Sequence, residues 1–379
     1  MVSTTSFLVL RHFKISNFSA LLLSILFAFM PYHMIRNTMH LFLSNYMVIP
    51  LIIMISLWIL EEKMVLTKKN NKGQICFSPN KFCILALLFC LIISSTGIYY
   101  AFYACFTFAF AFFLFYLRKG SLLNQNFLVT ASLGYFIFII LLLLHLSSFI
   151  YWAQNGLNKT MVFRDINEVY SFSLKIIYLF LPVDNHYIPY FSHYIKRFDN
   201  SILESEAYSE SLGIIGASGL LFSLLWLLCK NFSEKKDNIL EKTISRFNLN
   251  AKDQEFISNL SSLNLLILLF ASVGGLMMII ALPVPQLRSH ARFAIFIAFI
   301  SLFIIAIITD KLIAKSKNRV LSKSFFLLIF LLGLFDQVGK ISPQYLQKEE
   351  EKIKIKAERN FVKQIENSLP QGSIIFQLS

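Results

Sequence analysis

The chain has 379 residues, of which 56% are apolar and only 15% charged, with a mean hydropathy of +0.63. A water-soluble domain of that size needs more charge on its surface, so the composition excludes one and points to an all-α polytopic membrane protein whose first partner is the lipid bilayer. The net charge of +14 sits mostly in short segments between apolar runs, which is the positive-inside pattern and argues against nucleic acid as a partner.

Taken in order, nine apolar runs fall at about 17–32, 41–60, 82–97, 99–117, 126–149, 212–229, 263–282, 291–309 and 323–336. The first follows Arg11 and Lys14 and ends in Pro31-Tyr32-His33, without the small residues of a cleavage site. The stretch from Phe82 to Tyr116 is too long for one span. The small polar residues Ser94-Ser95-Thr96-Gly97 predict a tight turn that divides it. The five cysteines, Cys76, Cys83, Cys90, Cys105 and Cys229, form no C-x-x-C pair, so neither a zinc site nor a disulfide framework is read.

Orientation follows from the basic residues. With the N-terminus inside, the inner segments carry 20 Lys and Arg, whereas the short outer loops carry only Arg36, Arg288 and Arg292. The expected topology is N-terminus cytoplasmic and C-terminus extracytoplasmic, in a plasma membrane.

The long outer loop, about 150–211, is expected to be ordered. Asp165-Ile-Asn-Glu168 has an Asp cap with an acid three residues later. The aromatic segment Val169 to Pro182 is expected to lie flat in the interface, a tenth short span being the alternative. Residues 1–336 thus form a transmembrane domain and 337–379 an extracytoplasmic tail. In that tail, Tyr345 to Leu369 reads as a charged helix with an apolar stripe at Ile353, Ala357, Phe361 and Ile365. A turn at Pro370-Gln371-Gly372 and a strand from Ser373 to Leu378 follow. One helix and one strand cannot close a core, so the tail is expected to be the start of an α/β domain that the chain leaves incomplete.

The spans hold almost no ionisable groups. Asp310 and Asp336 lie at span ends and His145 near an outer end, which disfavours a proton pump or ion-coupled transporter. Polar residues gather in the outer loops: His33, Arg36 and His40 in the first; Arg164, Glu168 and His186 in the long one; Arg288, His290 and Arg292 in the third. An arginine pair at the membrane edge suits bidentate binding of a lipid phosphate, with interfacial snorkelling as the bland alternative. Paired histidines seven apart (His33 and His40, His186 and His193) are too sparse for a zinc site. Glu204, Glu206 and Glu210 include a candidate general base or metal-holding carboxylate, but a solvated loop face is favoured. Phosphate-binding glycine loops and nucleophile elbows are missing, so nucleotide hydrolysis and Ser-based acyl transfer have no support.

Several pieces occur in a familiar order. They are Met30-Pro-Tyr-His33, His40-Leu-Phe-Leu-Ser44, Val48-Ile-Pro50, Gly97-Ile-Tyr-Tyr-Ala-Phe102 and Arg164-x-x-x-Glu168-x-Tyr170. Further along come Leu179-Phe-Leu-Pro182, His186, Ser211-Leu-Gly213 with Gly216 and Gly219, and Gln286-Leu-Arg288-x-x-x-Arg292-Phe. Phe335-Asp-Gln337 and Glu366-x-x-Leu369-Pro-x-Gly372 close the series. Together they resemble the bacterial C-type (polyprenyl-phosphate-sugar-dependent) membrane glycosyltransferase superfamily, in the group labelled sugar translocases. The resemblance implies transfer of a sugar from a polyprenyl phosphate at the outer face of the inner membrane. It further implies a carboxylate base in the first outer loop and, in some members, a divalent cation; the residues themselves make no cofactor evident. Arg288 and Arg292 would meet the carrier phosphate, and His33, Arg36 and His40 the sugar or metal. The first outer loop here, about 32–40, has no Asp or Glu. The expectation is therefore a fragment lacking both ends, slowed by about a hundredfold or more without its base. Two alternatives stay open: a lipid-linked sugar flippase, and a non-catalytic assembly subunit working with a second membrane chain.

Overall fold

The computed structural model describes residues 1–36, 40–69, 74–122, 124–156, 165–183, 186–193, 210–231, 239–283, 287, 289–339, 348–370 and 373. Two units form, Met1–Val338 and Gly339–Ser379.

The first unit is a helical bundle. Seven helical stretches are long and apolar enough to cross a membrane, which is the pattern of a multi-pass membrane protein. They are Asn17–Arg36, in which α2 (Asn17–Ala28) is followed by α3 (Pro31–Arg36), then α7 (Ile98–Lys119), α8 (Gln125–Leu144) and α11 (Gly213–Asn231), the last apolar to Lys230. The others are α13 (Ala251–Ala271), α15 (Ala294–Lys315) with a 3₁₀ turn at His290–Phe293 before it, and α16 (Arg319–Gln337). Two shorter apolar helices, α5 (Ile49–Leu60) and α6 (Lys81–Thr96), fill the remaining expected runs. The turn between α6 and α7 falls at Gly97, whose φ of 144° suits a residue without Cβ. Short helices α1 (Val2–His12), α4 (Leu41–Ser44), α9 (Leu146–Asn155), α10 (Ile166–Ser171), α12 (Ile239–Phe247) and α14 (Met277–Ala281) complete the unit. A two-stranded hairpin, β1 (Thr67–Lys69) and β2 (Ile75–Phe77), pairs Lys68 with Cys76.

α15 is the hub. It packs on α2, α5, α11, α13 and α16, and 94% of its apolar window is buried. Aromatic rings knit it to its neighbours: Phe27 meets Phe299 at 5.0 Å and Phe256 meets Phe303 at 5.5 Å. Small residues permit the closest approach. A Cβ on Gly219 of α11 would sit 2.5 Å from the Ser301 carbonyl oxygen of α15. Nearby, Asn264 of α13 donates to the hydroxyls of Ser223 (α11) and Ser301 (α15) at 3.3 and 3.2 Å, a fully buried polar tie across three helices.

The helix ends form two polar layers. The near end carries residues 11–16, 61–69, 74–81, 118–122, 124–125, 247–253 and 310–319. There Asp310 accepts from the N–H and hydroxyl of Ser16, the cap of α2, both at 2.5 Å. Asn126 donates to Ile59 O at 3.1 Å, Arg118 donates to Asn259, and Lys311 pairs with Asp253. The far end carries residues 30–36, 40–48, 97–99, 165–183, 186, 210–213, 271–277, 289–293 and 336–338.

Three expectations change. α1 precedes the first expected run. Its polar residues hide it from a hydropathy window, yet Thr5 and Ser6 donate back to Val2 O at 3.1 and 2.7 Å and so lose their polarity within the helix. The expected run 263–282 is displaced: α13 starts at Ala251 and ends at Ala271, because Gly274, at φ 70°, and Gly275 break it. Its polar first half, with Ser258, Asn259, Ser261 and Asn264, is buried against other helices. The segment Val169–Pro182 is neither one interfacial helix nor a span. The Asp165 cap forms as expected, accepting from Asn167 N–H at 2.7 Å, but α10 stops at Ser171 and only a 3₁₀ turn, Ile176–Leu179, follows. Between them Leu174 is drawn into a parallel bridge with Ser272.

In the second unit, α17 (Lys348–Ser368) is a single helix on which Ile353 and Phe361 are exposed. The predicted strand from Ser373 to Leu378 lies, apart from Ser373, outside the described residues.

Candidate functional site

At the far end, four buried tyrosines and the half-buried Tyr99 lie with two arginines. The first turns of α7 present Tyr99, Tyr100 and Tyr103; the spacing of four puts Tyr99 and Tyr103 on one face, their rings 6.2 Å apart. Tyr103 donates to Ser289 O at 3.1 Å and Tyr100 to Leu43 O at 2.5 Å. Tyr46 donates to Phe27 O at 2.7 Å and lies edge-on to Tyr32 at 5.7 Å. Arg36 at the end of α3 lies 5.6 Å from the Tyr32 ring, and Arg292 lies 4.4 Å from the Tyr99 ring. Both arginines are buried, at 7% and 8% exposure. Aromatic faces stabilise guanidinium groups there.

His33 joins the group through a contact of 3.1 Å between its Nδ1 and Ser44 O, an acceptor, so Nδ1 carries the proton. His290 is 1% exposed, and neither ring nitrogen has a hydrogen-bond partner among the described residues. It follows Ser289, which holds a left-handed φ of 70°, and it opens the 3₁₀ turn that leads into α15. An N–H or imidazole nitrogen left without a partner in a lipid-embedded bundle is costly, and a ligand that supplies the missing bond removes that cost.

The described part of the long loop is strapped across three helix ends. Ala291 N–H donates to Phe172 O at 3.1 Å, Leu174 N–H to Ala271 O at 2.9 Å, and Leu212 N–H to Leu179 O at 3.3 Å. Ser211 donates to Leu181 O at 2.6 Å. This holds Glu210 inside, at 1% exposure, beside Lys175. Burial pushes the Lys175 ammonium below its usual range, and Glu210 opposes that shift. Glu210 is thus buried and not part of a solvated loop face; Glu204 and Glu206 lie outside the described residues.

His186 takes a separate place. Ile188 N–H donates to its Nδ1 at 3.0 Å, which leaves the proton on Nε2, 3.5 Å from Asp336 Oδ1. Asp336 Oδ2 accepts from Ile214 N–H at 2.6 Å, and Gln337 donates to Leu212 O at 3.4 Å.

The structure therefore gathers His33, Arg36, His290 and Arg292 around the tyrosines and ties His186 to the α11–α16 junction. Glu168 sits half-buried on α10. His40 is exposed, and α3 and α4 are separate helices, so His33 and His40 share no helix face. Arg164 and Arg288 lie outside the described residues. No group of three His, Cys, Asp or Glu suited to a metal occurs among the described residues. Sequence reasoning assigned no role to Tyr46, Tyr103 or Lys175, and Tyr32, Tyr99, Tyr100 and Gln337 entered only within the pieces that carry the resemblance, diluted by a chain that is 15% aromatic. Among known proteins, the chain matches no family model, no curated protein and no solved structure.

Proposed function

We propose that the far end binds the phosphate head of a lipid-linked sugar, and that the chain is a glycosyltransferase-like membrane protein. The observation that carries this is His290 with Arg292: a buried imidazole lacking a hydrogen-bond partner among the described residues, next to a buried guanidinium stacked on Tyr99. An oligosaccharide or isoprenoid phosphate at a membrane surface offers an acceptor oxygen to the His290 imidazole and a negative charge to the Arg292 guanidinium, and the start of α15 adds its dipole. The proposed topology has nine crossings, with the near end cytoplasmic, where the basic residues concentrate, and the far end outside. The tail is proposed to be extracytoplasmic.

Handling at one face is favoured over flipping. The cleft between α2, α11, α15 and α16, about 200 Å³, is lined by Leu22, Leu26, Ile215, Ile305 and Phe330 among others, with only Ser218 and Thr309 polar. A headgroup crossing there would meet almost no hydrogen-bond donors.

The test is binding of a polyprenyl monophosphate hexose to the purified protein in nanodiscs, read by native mass spectrometry. Arg292→Ala should weaken binding tenfold or more and Arg36→Ala less. Unchanged binding in the double variant rejects the proposal.

A further inference from the structure

None of the ten residues of α9 is buried. Leu146, Phe149, Ile150, Tyr151 and Trp152 are each at least 39% exposed. None of its ten residues is charged; the polar ones are Ser147, Ser148, Gln154 and Asn155. Length decides where it lies. α8 begins at the near end, where Asn124 caps it and Asn126 is tied to α5. Its 20 residues rise about 30 Å, the thickness of the hydrocarbon core. By His145 the core is crossed, and the helix ladder breaks there at φ −104° and ψ 11°. α9 would add about 15 Å beyond the core.

Standing in water, α9 would expose five large apolar side chains together. Its apolar surface also continues the exposed stripe of α8 at Tyr135, Phe138 and Leu142. Tyr and Trp with uncharged hydroxyl and amide partners form the composition that the headgroup layer accepts, since each ring has an apolar body and a polar tip. We infer that α9 is an interfacial helix, anchored in the lipid headgroup layer at the far end of the bundle by Tyr151 and Trp152.

The three tryptophans make this testable. Trp58 and Trp226 are buried, at 1% and 3% exposure, and only Trp152 is open. In phosphatidylcholine–phosphatidylglycerol nanodiscs, quenching is measured with a headgroup-level nitroxide lipid and with a lipid brominated deep in its chains. The signal of Trp152→Phe is subtracted, and its residual emission from Trp58 and Trp226 verifies the fold. Headgroup-level quenching several-fold stronger than deep quenching is expected. Three results overturn the proposal: strongest quenching by the deep bromines, which makes α9 a continuation of the span; quenching by aqueous iodide alone; or no quenching by any agent together with disulfide cross-linking between copies through Ile150→Cys, which puts a second chain on the helix.

Discussion

Asp336 Oδ2 accepts from the Ile214 backbone N–H at 2.6 Å. The last turn of α16 therefore caps the first turn of α11, and its other oxygen faces His186. The near end repeats the device with different residues, where Asp310 near the end of α15 holds the Ser16 cap of α2. Both carboxylates lie at span ends, and both serve a neighbouring helix start, where the dipole favours negative charge.

Removing either carboxylate should therefore loosen helix packing. Asp336→Ala and Asp310→Ala are each expected to cost about 1.5–3 kcal/mol, the range for hydrogen bonds to a charged group. The Asn variants, which keep an acceptor oxygen, should cost less. Thermal unfolding of detergent-purified protein measures this, and Ala variants that melt with the wild type would show the caps to be incidental.

Much of the bundle is legible in the sequence because apolar runs of span length have few other uses. What stayed hidden has local causes. α1 is diluted by Ser3, Thr4, Thr5 and Ser6, whose hydroxyls can bond to their own helix. The buried half of α13 reads as a surface, since Ser258, Asn259 and Asn264 find partners on other helices: Trp226 and Lys230 for Ser258, which also donates to Gln254 O in its own helix, Arg118 for Asn259, Ser223 and Ser301 for Asn264. The structure brings some of the charged loop positions together in the candidate site. Arg36, His290 and Arg292 lie in it, but the tyrosines between them are ordinary members of an aromatic-rich chain, and only three-dimensional contact marks them out. Glu210 looked like one of several loop acids; its burial depends on the strap that Ser211 and Leu212 form with residues 179–181.

Gly219 sets how closely α11 and α15 approach. Gly219→Val should destabilise by about 1–3 kcal/mol through overpacking, because the obstacle is backbone, the Ser301 carbonyl. Gly134, whose Cβ would meet nothing within 4 Å, provides the control: Gly134→Ala should be neutral or stabilising. Equal melting temperatures for Gly219→Val and the wild type would contradict the close approach.

Stability should fall on mild acidification through His12. Trp58 Nε1 donates to His12 Nε2 at 3.1 Å, so the bond requires neutral imidazole. Burial first and the Lys63 ammonium second lower the His12 pKa from 6.5, with Lys81 adding to this and Glu61 opposing it. The unfolded chain thus takes up a proton before the folded one does. The contribution is complete above pH about 6.5 and is lost progressively below it, towards the folded value. His12→Gln, which keeps an acceptor without titrating, should flatten melting temperature against pH between 7 and 5. A wild-type slope that persists in His12→Gln would place the titration elsewhere.

Tyr103 and Ser289 link folding to the proposed site, and two substitutions separate their effects. The Tyr103 hydroxyl holds Ser289 O, and Ser289 holds the strained left-handed conformation from which His290 and Arg292 project. Tyr103→Phe removes the hydrogen bond but leaves the ring against Phe293, 4.4 Å away. It should cost about 1 kcal/mol of stability and weaken lipid-phosphate binding, because the turn is no longer pinned. Ser289→Gly relieves the positive φ, so it should stabilise the fold by a few tenths to about 1 kcal/mol, while binding falls as the turn gains freedom. Stability and affinity would then move in opposite directions for Ser289→Gly and together for Tyr103→Phe. If both variants bind as the wild type does, the Ser289 turn does not position the anion-binding groups, whatever its effect on melting.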